Sequence, residues 1–60
     1  MYTINVKFDN GVTMGVPDLT PLMVFEEAYD ILEKYKNALI ICKNEEGKII
    51  FKYENGELTT

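Results

Sequence analysis

The residues that could do chemistry in this chain are few, and their spacing gives them little to work with. Histidine and serine are absent, so no serine-histidine relay can be assembled. Cys42 is the one cysteine and falls inside an apolar run, where a thiol reads as a small buried hydrophobe rather than a nucleophile. A single cysteine also excludes an internal disulfide, and without histidine a tetrahedral zinc site lacks its usual ligands. Gly11, Gly15, Gly47 and Gly56 are too scattered for a phosphate loop. The chemistry that remains is that of surfaces. Glu26, Asp30 and Glu33 recur at spacings of four and three, with Glu27 beside them, which places them on one stripe of a helix. An outward stripe lacks the cleft and contrasting environments that acid–base catalysis needs, but it suits docking into a basic groove, including one that otherwise takes DNA phosphates. The second surface is apolar. Leu39, Ile41 and Ile50, rimmed by Lys43, Lys48 and Lys52, combine an apolar centre with a charged border, as interaction surfaces do. The chain is therefore read as noncatalytic, with no cofactor and no metal.

The totals narrow the field further. A chain of 60 residues makes one domain, 1–60, and buries only about 60% of the surface that its unfolded form exposes. Domains this small commonly add a disulfide, a metal or self-association, and composition leaves the last, so a homodimer is one expectation. The formal charge is −4, from ten carboxylates against six lysines. Nucleic-acid binding needs a clustered basic face, so the expected partner is a protein, and a basic one is favoured electrostatically. No apolar run reaches membrane-spanning length, and the first residues lack the basic and apolar regions of a signal peptide, which points to the cytoplasm. Arg, Ser, Gln, His and Trp are missing while Lys, Ile, Asn, Glu and Tyr abound. AT-rich codons give that profile, as in a low-GC bacterium or a phage or plasmid living in one.

These surfaces must be carried by regular elements, and hydrophobic periodicity supplies them. Tyr2, Ile4, Val6 and Phe8 alternate with polar residues as a half-buried strand does. Asp9-Asn10-Gly11 is then a three-residue hairpin loop with Gly11 left-handed, because only that register places Phe8, Val6 and Ile4 beside Val12, Met14 and Val16 on one face. Pro17 ends the second strand, and Asp18-Leu19 leads to a helix over Thr20 to Lys36. Thr20 is its N-cap, Pro21 its first residue, and Leu19 with Val24 forms a hydrophobic staple. Leu22, Val24, Phe25, Ala28, Tyr29, Ile31, Leu32 and Tyr35 make one half of that helix, which must lie on a sheet. Asn37 suits a left-handed C-terminal position. A second hairpin joins Ala38–Lys43 to Lys48–Tyr53 through a four-residue loop, Asn44 to Gly47, pairing Cys42 with Ile49. Its inner face holds Ala38, Ile40, Cys42, Ile49, Phe51 and Tyr53, and its outer face Leu39, Ile41 and Ile50. After a third turn signal at Glu54-Asn55-Gly56-Glu57, Leu58 either folds back as a short fifth strand or frays.

The fold class is α+β in the order ββαββ, with a four-stranded sheet, one helix on one face and the optional fifth strand. This order resembles the β-grasp arrangement, which implies that the two terminal strands pair in parallel at the sheet centre. The resemblance is architectural and brings no functional residues with it. The functional expectation is a small acidic domain that binds a protein, of the kind a phage or mobile element uses to inhibit or regulate a host protein. The alternative is a homo-oligomeric structural subunit, joined by its outer sheet face or an edge strand.

Overall fold

The computed structural model describes Met1–Thr59; Thr60, the last residue of the expected domain 1–60, lies outside the described residues. The elements are β1 (Tyr2–Lys7), β2 (Thr13–Leu19), α1 (Pro21–Lys34), β3 (Leu39–Lys43), β4 (Ile49–Glu54) and β5 (Glu57–Thr59). They form one sheet in the order β2-β1-β3-β4-β5, antiparallel throughout, with α1 on one face. The α+β class, the element order and the fifth strand are as the sequence implies. The parallel central pair of the β-grasp arrangement is not formed: β1 pairs antiparallel with β3, Ile4 facing Cys42 and Val6 facing Ile40. One contrast in composition favours β3 over β4 beside β1. β3 is apolar on both faces through Leu39, Ile40, Ile41 and Cys42, whereas β4 carries Lys52 and Glu54. Since β2 and β3 both run antiparallel to β1, they run parallel to each other, and α1 crosses between them over β1.

The first hairpin has the expected loop. The Phe8 N–H donates to the Val12 carbonyl at 2.9 Å, the Gly11 N–H donates to Phe8 at 3.0 Å, and Gly11 has φ +88°. Strand β2 does not stop at Pro17, as expected, but continues to Leu19. Val16 and Leu19 are three residues apart and would face opposite ways in a regular strand. An extra residue between them, with Asp18 at φ 61°, turns both to the helix side. Pro17 is tolerated because β2 is an edge, where its missing N–H faces no neighbour.

The second hairpin uses the same three-residue design rather than the expected four. The Asn44 N–H donates to Lys48 at 2.9 Å, and the Asn44 side-chain oxygen accepts from Glu46 and Lys48. Continued regularly, that register would turn Phe51 and Tyr53 to the outer face. A bulge between Cys42 and Lys43 restores them, so Cys42 faces Phe51 instead of Ile49, and Ile40 faces Tyr53. Burying two aromatic rings outweighs one irregular step in the ladder.

Helix α1 starts as the sequence requires, with the Thr20 hydroxyl accepting from Met23 N–H at 3.2 Å and Pro21 in the first turn. It ends earlier, at Lys34. Tyr35 is the C-cap, its N–H donating to Ile31, and Asn37 is not left-handed. Val24, Ala28 and Ile31 pack against Ile4, Val6, Leu19, Ala38, Ile40, Cys42 and Phe51 in a single core. Among the described residues no helix is long and apolar enough to cross a membrane.

Candidate functional site

Helix α1 packs mainly over β1, β3 and β2 and reaches β4 through Phe51, so β5 and the outer margin of β4 extend beyond its cover. The apolar half of the helix is therefore wider than the platform beneath it. Val24, Ala28 and Ile31 are buried, and Leu32 is half-buried, but Leu22, Phe25 and Tyr29 remain 85%, 58% and 54% exposed. The expectation that this entire half lies on the sheet is corrected accordingly, as it is for Tyr35, which is also exposed. The uncovered flank is not loose. The Phe25 ring stacks on Phe51 of β4 at 4.9 Å with an interplanar angle of 14°, and Phe51 meets Tyr53 edge-on at 5.8 Å. Tyr53 in turn faces Leu58 of β5, an exposed residue. Leu22, Phe25, Tyr29, Tyr53 and Leu58 thus border one open aromatic corner between the helix and the far side of the sheet.

The acidic stripe runs along the solvent side of this corner. Glu26, Asp30 and Glu33 are exposed, and Glu27 is half-buried on the opposite flank of the helix. None of the four has an ion-pair partner among the described residues, where the only pair is the exposed one between the Met1 amino group and Glu45 at 3.3 Å. Glu33 also acts on the corner itself. Its carboxylate, one turn beyond Tyr29, holds that phenol above the usual tyrosine pKa by hydrogen bonding and by charge. Carboxylates and exposed rings therefore belong to one surface.

The outer sheet face holds the other set of expected residues. Leu39 and Ile41 lie side by side on it, half-buried, with Lys7 facing Leu39, Lys52 facing Ile41 and Lys43 next along the strand. Ile50 sits at the bulge and packs against the core, and Lys48 lies outside the strands where the hairpin closes. The structure thus brings Leu39, Ile41, Lys43 and Lys52 together and sets Ile50 and Lys48 apart.

Cys42 is fully buried on the helix side, and burial pushes its thiol above the ordinary value. That disfavours the thiolate on which cysteine reactivity depends. No group of three or more cysteine and carboxylate side chains could hold a metal among the described residues. An open depression of about 630 Å³ lies where Phe8 meets Tyr35 edge-on at 4.9 Å.

Sequence reasoning found the carboxylates and missed the aromatic corner. The signal was present as a second apolar stripe, Leu22-Phe25-Tyr29-Leu32, parallel to the buried stripe of Val24, Ala28 and Ile31. Comparison of the chain with protein-family models, with curated sequences and with solved structures gives no match.

Proposed function

We propose that this protein is a noncatalytic binding domain that acts in the cytoplasm and takes a basic protein partner on the exposed flank of α1. One observation carries this reading: Leu22, Phe25 and Tyr29 stand open to solvent beside Glu26, Asp30 and Glu33, which have no cation of their own among the described residues. Exposed aromatic anchors with a charged border match how interfaces divide their labour, with rings providing affinity and charges providing orientation and encounter rate. The partner would offer an apolar pocket or ridge bordered by lysine or arginine. A small acidic inhibitor or regulator from a phage or mobile element fits both the size and the composition.

The test is capture from a host lysate with three forms of the chain. Wild type should retain a basic protein that elutes with salt. Leu22→Ser with Phe25→Ser should lose it with folding intact, as should charge reversal at Glu26, Asp30 and Glu33. A catch that survives both variants, or one that resists salt, counts against this surface.

A further inference from the structure

We propose that β2 is a dimerisation edge, pairing antiparallel with β2 of a second copy about a two-fold axis at Met14 and joining two five-stranded sheets into one. The inference is independent of the acidic flank and rests on the edge itself. β2 is one of the two edges of the sheet. Phe8 N–H donates to Val12, Val6 faces Met14 and Ile4 faces Val16. Antiparallel alternation therefore turns the backbone groups of Val12, Met14 and Val16 toward β1 and those of Thr13 and Gly15 outward. No charged side chain occurs from Gly11 to Pro17. Edges that must stay single are usually blunted by lysine, proline, a bulge, an inward charge or brevity, and Thr13 to Val16 carries none of these, proline and a bulge coming only after it. Pro17 and the Asp18 bulge limit the open ladder to the residues before them.

The stretch also complements itself. Val12-Thr13-Met14-Gly15-Val16 is nearly symmetric about Met14, as a two-fold contact requires. With Met14 opposite Met14 of the second copy, Thr13 meets Gly15 and Gly15 meets Thr13, so every outward N–H and C=O of both residues is paired. Val12 comes beside Val16, and a continuous apolar stripe forms on the helix side. That covers Val12 and Met14, now 55% and 39% exposed. Gly15 acquires a reason as well. A Cβ there would meet only the Asn5 side-chain oxygen at 3.8 Å, so nothing within one copy demands glycine. Across the axis it leaves room for the branched Thr13 side chain of the second copy. The opposite edge, β5, has three residues and starts with Glu57, so it offers no comparable ladder and assembly closes at two copies.

The experiment is light scattering coupled to size exclusion on the full chain, with far-ultraviolet circular dichroism to check folding. Wild type at high-micromolar concentration should have twice the chain mass of 6.9 kDa. Thr13→Lys and Gly15→Pro should each give a folded monomer, and Leu58→Lys, on the other edge, should remain a dimer. Register is read by oxidative cross-linking. Met14→Cys should join across the axis, where facing Cα atoms lie about 4.5 Å apart, and Thr13→Cys should not. A monomeric wild type, a dimer that survives both β2 variants, or cross-linking through position 13 in preference to 14 would overturn the proposal.

Discussion

Both edges of the sheet hang on an Asn-Gly dipeptide, and the two dipeptides fold differently. At Asn10-Gly11 only the glycine is left-handed, while Asn10 accepts the Val12 N–H on its side chain at 3.0 Å; at Asn55-Gly56 both residues have positive φ, 53° and 82°. The first is a three-residue loop with a bulge, the second a two-residue type I′ turn closing on the pair Glu54 and Glu57. The strands that follow differ accordingly. β2 is long and uncharged up to Pro17, and β5 is short and opens with a carboxylate. A local dipeptide states that the chain reverses. The apolar residues on either side decide how many residues the reversal takes, and hence which side chains reach the edge.

The largest expected effect breaks both edges together. Ile40→Ala, in the fully buried centre of β3, should cost about 2–5 kcal/mol. A core this small rarely supplies more than about 3–5 kcal/mol, so thermal melts should show an unfolded chain. A smaller change separates the two turns. Asn10→Gly removes the side-chain acceptor for Val12 and should destabilise by about 1 kcal/mol, whereas Asn55→Gly, at a residue already left-handed, should stay within about 0.5 kcal/mol of wild type in urea melts. Equal losses at both sites would mean that the turns are not distinct in energy.

Two conditions sharpen the contrast between edge and centre. The folded Cys42 thiol titrates above its unfolded value, so above the ordinary thiol pKa the unfolded chain holds fewer protons than the folded one. Stability should therefore fall as pH rises through about 8.5 and beyond. Cys42→Ala, less stable at neutral pH, should show a shallower alkaline decline. The edge answers to salt instead. In the proposed dimer two copies each of charge −4 would meet along an uncharged seam, so added salt should strengthen self-association modestly, by a few-fold at most. Binding of a basic partner at the helix flank should weaken under the same change. One salt series followed by sedimentation thus separates the two surfaces, and a dimer that dissociates in salt would contradict the seam.

The extent to which the molecule could be read from its residues follows the range of the interactions involved. Thr20, Pro21, the first loop and the β5 turn are settled within a few residues, and they were legible. Pro17 read as a stop because its tolerance depends on β2 being an edge, which local pattern does not state. The bulge before Phe51 was hidden because it answers to the helix overhead, not to the hairpin it interrupts. The same holds for the aromatic corner. Periodicity told that Phe25 and Tyr29 share a half of the helix with Val24 and Ala28. It could not tell how much sheet would lie beneath, and that decides which apolar residues become core and which become surface.

The β1–β3 ladder has a bearing on how the chain finds its fold. The other three ladders are hairpins closed by turns of two or three residues, but Thr3 with Lys43 and Lys7 with Leu39 close a loop containing β2 and all of α1. The largest loop-closure entropy falls on that seam, so joining the two halves should be the slow step, with hairpins and helix forming ahead of it. Conservative truncations at Val6 or Ile40 should then slow folding, while truncations in β5 should mainly speed unfolding.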